Sequence, residues 1–357
     1  WGIKKLYFFA VLVYIFKKLE NTAMNIQNIG AIILTHKDIE KTVACLKAVH
    51  KQVELPYRIV LCDNGSGNEY ADVILDEWIQ IAKEQNLDEP VEVYATDTSR
   101  AKLVFLRLEE NKGVGGGFNE ALRFLLYDME CQAFWVMHHD TEPQSYALSA
   151  LLEHAQNEKN DKIGLVGTTL IYKESDLQEC AGGGYWRKWA GKAKNLDCGY
   201  DKYSHSEHAE VVQKLDYVNG ASCLMTRELI NAIGLYEERF YMFYEDVEYG
   251  LRAKKAGFSL NWAPGARVYH HAPNAEQLTP LLNLTEEPEL TADVDYLYMR
   301  NRFYLLRKQS ILAYFLGMVY IPLLFVSRNF KGQKGRLGLI VNAVMDGLNK
   351  KMDKIHG

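Results

Sequence analysis

The chain lacks the features that would place it in several large functional classes. None of its six cysteines (Cys45, Cys62, Cys131, Cys180, Cys198 and Cys223) belongs to a C-x-x-C pair. A zinc cluster therefore has no motif, and a disulfide framework is not needed in a chain this long. Reduced thiols in a cytoplasmic protein are the simplest assignment. An excess of positive charge is also missing: 41 Lys and Arg against 46 Asp and Glu leave a formal charge of −5. Nucleic acid as the main partner has no electrostatic basis. No apolar run reaches the roughly 20 residues of a bilayer crossing. Leu6 to Phe16 is an eleven-residue run flanked by Lys4-Lys5 and Lys17-Lys18. It has the look of a signal h-region, but no small-x-small cleavage site follows. The favoured reading is that residues 1–23 are an extension and that the natural protein begins at Met24. No Gly-Lys-Ser/Thr follows the glycine cluster, which excludes a P-loop. Thr35-His36-Lys37-Asp38 likewise lacks the basic phosphate-binding loop that a nucleotidyltransferase needs.

What is present is an ordinary globular composition, 48% hydrophobic and 24% charged, over 357 residues. That suits one large α/β domain with an appendage. The 22 tyrosines fit either an aromatic core or a surface for sugars and membrane interfaces. Ile29 to Leu34 predicts a buried strand, Ile39 to Val49 a helix and Tyr57 to Cys62 a second strand, together a βαβ unit of a parallel sheet. Further strands are expected at Val104–Leu108, Ala133–Met137, Ile163–Val166, Val218–Met225 and Phe258–His270. Helices are expected at Tyr70–Glu84, Glu120–Tyr127, Arg227–Ile233 and within Tyr241–Ala256, with a loop-rich section around Gly182 to Trp186. In such a sheet ligands bind outside the carboxyl ends of the strands, where Thr35 and Asp63 lie.

Four segments carry candidate chemistry. Asp63-Asn64-Gly65-Ser66 is turn chemistry whose carboxylate, in the ligand crevice, can accept from a nucleobase N–H. The glycines from Gly113 to Gly117 imply either a loop shaped around a diphosphate-sugar or close helix-to-sheet packing. His138-His139-Asp140 ends an apolar strand, and such a cluster is costly to bury unless paired or bound to a cation. Its oxygen and imidazole donors suit Mn²⁺ or Mg²⁺. Glu245-Asp246 opens a helix, where carboxylates are favoured by the helix dipole and can also act as a general base. His270-His271 ends a strand and offers a further metal ligand.

Taken in order, these segments resemble family 2 glycosyltransferases with the GT-A fold, a Rossmann-like, mostly parallel sheet flanked by helices. The resemblance runs from about Asn28 to His271. Its most specific part is Val218-Asn219-Gly220-Ala221-Ser222-Cys223, then Ile233 to Phe240, then Tyr244-Glu245-Asp246-Val247-Glu248-Tyr249-Gly250-Leu251-Arg252. It implies that Thr35, Asp63, Asn64, Asn111, Gly113, Gly116, Gly117, His138 and His139 surround a nucleotide-sugar, and that Tyr185 and Trp186 face the acceptor. Asp140, His270 and His138 would hold a divalent metal, and Asp246 would be the base of an inverting transfer, supported by Glu245 and Arg252. The family's acidic triplet usually begins with Asp where this chain has His138, which removes one negative charge; a catalytically weak nucleotide-sugar-binding subunit is the alternative in kind. Glu245 to Arg252 and Asn111 to Phe118 resemble bacterial galactofuranosyltransferases, while Tyr298 to Arg302 is shared with rhamnosyltransferases. UDP-galactofuranose is the first donor expected and dTDP-rhamnose the second, with a glycan or lipid-linked glycan as acceptor.

The catalytic domain is expected over 24–290 and a helical region over 291–357. There Ile311 to Val326 and the lysine-rich Arg336 to Lys354 read as an in-plane membrane anchor at the inner face of the cell membrane. The other reading of this region is a helical hairpin packed on the catalytic domain or on a second subunit, giving a homo-oligomer.

Overall fold

The computed structural model describes residues 29–271, apart from 95, 96, 98, 158–161 and 204–206. It also describes 292–352, apart from 313, 314, 316, 317, 320, 321, 323–325 and 327–336. The extension before Met24 and most of Ile311 to Val326 lie outside the described residues.

The first half is the expected parallel unit. Strands β1 (Ile29–Thr35), β2 (Arg58–Asp63), β3 (Val91–Tyr94), β4 (Leu103–Arg107) and β5 (Ala133–His138) stand in the order β3-β4-β2-β1-β5, all parallel. Their side chains alternate between two cores. Ile33, Leu61 and Phe105 pack with Trp78 and Leu46 from helices α1 (Ile39–His50) and α2 (Asn68–Glu84). Ile32, Val60, Leu106 and Val136 pack on the opposite face with Phe118 and Leu122 of α3 (Gly113–Leu126). That period of two on a doubly covered sheet explains why the strands read as continuous apolar runs.

The second half turns the sheet mixed. Short β6 (Thr141–Pro143) leads to α4 (Ala147–Asn157) and β7 (Ile163–Tyr172), which pairs with β8 (Gln178–Ala181). A small antiparallel sheet follows, made of β9 (Gly183–Arg187), β10 (Lys192–Asn195) and, after α5 (His208–Lys214), β11 (Tyr217–Val218). The section expected to be loop therefore contains strands, too short to show periodicity. The strand expected over Val218–Met225 is broken at Asn219-Gly220, and β12 (Ser222–Thr226) inserts antiparallel between β5 and β7. Helices α6 (Arg227–Ile233) and α7 (Glu245–Lys255) precede β13 (Ser259–His270), parallel to β7. Five cysteines are buried, Cys198 is exposed, and all six are free thiols.

Helix α8 (Ala292–Gln309) packs with α9 (Leu337–Leu348) and onto the catalytic body. Phe303 and Leu306 of α8 share a core with Ile340, Val344 and Leu348 of α9 and with Phe240, Tyr244 and Trp186. The apolar face of α9 is thus covered by protein, as the hairpin alternative requires, and is not available as an anchor. Among the described residues, no helix is long and apolar enough to cross a membrane.

Candidate active site

Of the two readings of the glycine cluster, close helix-to-sheet packing is the one found. Gly113 to Gly117 are not loop but the first turns of α3, despite the poor helix propensity of glycine. Tertiary packing overrides that propensity: a Cβ on Gly117 would stand 2.5 Å from Leu34 Cδ1 and 3.0 Å from Asn64 Nδ2, so only glycine lets α3 lie against β1. Asn64 supports the same junction. Its amide donates to Asn111 Oδ1 (3.1 Å) and Gly113 O (2.9 Å), and its oxygen accepts from Lys112 N (2.9 Å). Asn111 Oδ1 also accepts from Gly113 N. Asn64, Asn111 and the buried Gly113, Gly116 and Gly117 therefore shape the amino end of α3. Thr35 is fully buried and bonds Thr42 Oγ1 at 2.6 Å, so its hydroxyl faces α1 and not a nucleoside.

Asp63 behaves differently. Oδ2 accepts from Ser66 N at 3.3 Å, while the buried Oδ1 has no partner, and burial raises its pKa. It lines a cavity of about 310 Å³ with Tyr94, Arg107 and Asp72. A larger cavity of about 700 Å³ lies among Leu55, Pro56, Tyr57 and Leu87, at the opposite ends of the strands.

His138, Asp140 and His270 converge. One ligand-competent atom of each lies within 4.8 Å of the others, although β5 and β13 are far apart in sequence. His138 Nε2 is buried without a hydrogen-bond partner, and the buried Asp140 Oδ1 faces His270 Nε2 at 3.5 Å. Burial pulls the His138 imidazole down to about 4, leaving it neutral and able to ligate, and its ring stacks on Phe118 at 5.6 Å. Burial alone would also lower His270, but Glu179 and Asp140 outweigh it and hold it up at about 10. The Asp140 carboxyl, opposed by burial, is drawn well below its usual range by His270 and the neighbouring imidazoles. Two ligands on opposite sides of an ion at about 2.1 Å each would be roughly 4.2 Å apart, so these atoms would hold one divalent cation after a small inward shift and loss of the His270 proton, and the mixed N and O set suits Mn²⁺. His139 stands outside the group, its Nδ1 3.2 Å from Leu34 O.

Glu179 gave no sequence signal. It stands on β8, 6% exposed, and its Oε2 lies 2.7 Å from His270 Nδ1. A carboxylate behind an imidazole fixes the tautomer and orientation of a ligand. Glu179→Gln is expected to weaken Mn²⁺ binding about 10- to 100-fold, read by calorimetric titration with MnCl₂; a dissociation constant within twofold of wild type would remove Glu179 from the site.

Asp246 reaches the same floor from the other side. Its Oδ2 accepts from Gly220 N at 3.3 Å, and the next residue, Ala221, accepts at its carbonyl from His138 N at 3.0 Å. The turn between β11 and β12 thus joins the histidine–aspartate cluster to the start of α7. Helix α7 lies this close because Gly250 faces β11: a Cβ there would meet Tyr217 Cα at 2.6 Å. Glu245 is 8% exposed and its Oε2 has no partner. Trp186, 5% exposed, meets the Tyr244 ring edge-on at 5.7 Å with its Nε1 unpartnered. Tyr185 is turned to Arg187, which donates to its hydroxyl at 2.8 Å. Arg252 does not support Asp246: it donates to Ile233 O (2.6 Å), Leu235 O (2.9 Å) and both oxygens of Glu248, pinning α7 to the preceding loop.

Burial raises both carboxyls of the Glu245–Asp246 pair, and the Asp246 charge raises Glu245 further. The folded protein therefore keeps protons that the unfolded chain releases near pH 4. Between there and the raised values the unfolded state binds fewer protons, so stability falls as pH rises. Glu245→Gln is expected to melt at a higher temperature than wild type at pH 8 and at the same temperature at pH 4.5. A variant no more stable at pH 8 would contradict the buried pair.

Residues 31–178 match the model of the family described as Glycosyl transferase family 2. Over 86 residues the chain is 29% identical to N-acetylglucosaminyl-diphospho-decaprenol L-rhamnosyltransferase of Mycobacterium tuberculosis, a stretch covering 24% of this chain. The chain spans only 27% of the length of that relative. Among solved structures it is similar to GalNAc-T7 with UDP, GalNAc and Mn²⁺ (16% identity, 69% of this chain and 44% of that one, TM-score 0.49). It is also similar to the mannosyltransferase PcManGT of Pyrobaculum calidifontis in complex with GDP-Man and Mn²⁺ (12% identity, 98% of each chain, TM-score 0.47). The family match covers less than half of the chain and falls on strands β1 to β7 of a mixed, mostly parallel sheet flanked by helices, the architecture expected of the GT-A fold.

Proposed function

We propose that the protein transfers one sugar, with inversion, from a nucleoside diphosphate to a hydroxyl of a glycan or lipid-linked glycan. The observation that carries this reading is the turn at Asn219–Ala221, which touches Asp246 on one side and His138 on the other. In this reading the cavity beside Asp63 takes the nucleoside, whose base N–H donates to the unpartnered Oδ1. His138, Asp140 and His270 hold a divalent cation, with Glu179 orienting His270. The cation would neutralise charge gathering on the departing diphosphate. Asp246 accepts the proton of the acceptor hydroxyl as that oxygen attacks the anomeric carbon. Its raised pKa keeps the carboxylate a stronger base than an exposed aspartate. Trp186, against the Tyr244 ring, offers an indole face and a free N–H to the acceptor sugar.

UDP-galactofuranose is the first donor, on the likeness of Glu245 to Arg252. The mycobacterial relative is a rhamnosyltransferase, and dTDP-rhamnose is the second donor. Contact with the inner face of the cell membrane is part of the proposal: Ile311, Leu312, Phe315 and Val319 are 56–70% exposed, an apolar group suited to a lipid interface.

The test is a thermal-shift screen of nucleotide-sugars with MnCl₂, followed by product analysis. One donor is expected to stabilise by about 2.7 kcal/mol at a hundredfold excess over its dissociation constant, and to give a product with inverted anomeric configuration. If no nucleotide-sugar stabilises and none is consumed, the proposal fails.

A further inference from the structure

The segment just before the candidate base is strained. Tyr241, Phe243 and Tyr244 have φ of +63°, +68° and +69°, a region that non-glycine residues enter at a cost of roughly 1–2 kcal/mol each. Tyr241, with ψ −57°, centres a positive-φ γ-turn closed by Met242 N donating to Phe240 O at 2.7 Å, the rare and strained form of that turn. Tyr244 is the residue that caps α7. The direction in which Glu245 and Asp246 leave the turn is therefore set by this backbone, and such strain persists only where the surroundings over-determine it.

Its surroundings are α8. Asn301, fully buried, donates from one amide nitrogen to Met242 O (2.6 Å), Phe240 O (2.8 Å) and Phe243 O (3.1 Å). Arg300, 1% exposed, donates to Arg239 O (3.1 Å) and Phe240 O (3.3 Å). The remaining carbonyl of the turn, Tyr241 O, accepts from Val114 N at 2.6 Å, so the turn also braces the amino end of α3. We infer that Asn301 is a positioning residue for sugar transfer: it holds Phe240 to Tyr244 in the one conformation that presents Asp246 to the site. This rests on the proposed transfer function. The chemistry is restrictive. Aspartate at 301 would set carboxylate oxygens against three carbonyl oxygens, and an apolar residue would take this donor away from Met242 O and Phe243 O.

Asn301→Asp is to be compared with Leu348→Ala, which opens the core between α8 and α9 without touching the carbonyls of the turn and controls for lost stability. Each is assayed at the same interval below its own melting temperature, using UDP-galactofuranose and dTDP-rhamnose as donors and UDP with Mn²⁺ for binding. The expected result is a kcat at least 50-fold below wild type for Asn301→Asp, with donor KM and UDP affinity within threefold. Leu348→Ala is expected to keep kcat within threefold. If Asn301→Asp does not fold, Asn301→Gln, which keeps the amide but displaces it by one methylene, is measured in the same way. A kcat for the 301 variant within threefold of Leu348→Ala overturns the inference while leaving the transfer function standing. A wild type that transfers no sugar overturns both.

Discussion

Asp246→Asn is expected to lower kcat by about 10³-fold, the typical contribution of a positioned general base, and to leave donor affinity unchanged. The amide keeps the volume of the carboxylate, whose two oxygens accept from Gly220 N and Val247 N, and its oxygen can still take one of these two donors. What it loses is the capacity to take a proton. At about 4 kcal/mol of barrier, the effect is far larger than any change in fold stability expected from an isosteric swap. Single-turnover measurements with saturating donor give the number, and calorimetric titration with UDP and MnCl₂ shows whether binding persists. Wild-type turnover in this variant would remove Asp246 from the chemistry.

The second large effect is expected at the other end of the same floor. Asp140→Ala removes the carboxylate from the cluster and leaves only imidazoles facing the ion position. Mn²⁺ should then no longer raise the melting temperature, and kcat/KM should fall by about 10³-fold, the several kcal/mol that charge neutralisation at the leaving group supplies. In the wild type, removing metal with EDTA should lower activity and the melting temperature together, and adding MnCl₂ should restore both. An Asp140→Ala protein that still gains stability from Mn²⁺ would place the cation elsewhere. His270→Ala is the less clean variant, because it would also leave Glu179 buried without its partner.

Much of this geometry was legible beforehand, and the failures have physical reasons. The strands carrying Asp63 and His138 are short, apolar and covered on both faces, so hydrophobic runs and turn residues locate their ends within a residue or two. Glycine-rich helices cannot be read that way. Gly113 to Gly117 look like a loop because intrinsic propensity opposes a helix there, and only the contact with Leu34 reverses it. Thr35 and Arg252 occupy motif positions, but a motif gives a place in the chain and not a direction: one turns inward to Thr42 and the other back to Ile233 and Leu235. Glu179 had no motif, and the resemblance over Tyr298 to Arg302 gave Asn301 no role. The first gains its role only when β8 pairs beside β7, and the second only when α8 crosses the strained turn.

The position of β12 has a consequence for how the site comes into being. The parallel strands through β5 form one block of sheet and β7 with its neighbours another, and β12 is the strand that seams them. A chain that stops before Ser222 lacks both that stitch and β13, and leaves β5 and β7 each with an unpaired edge. His270 is brought beside Asp140 by the pairing of β13 with β6, the short strand that follows β5. The cluster of His138, Asp140 and His270 is therefore complete only once β13, the last strand in chain order, has joined the sheet.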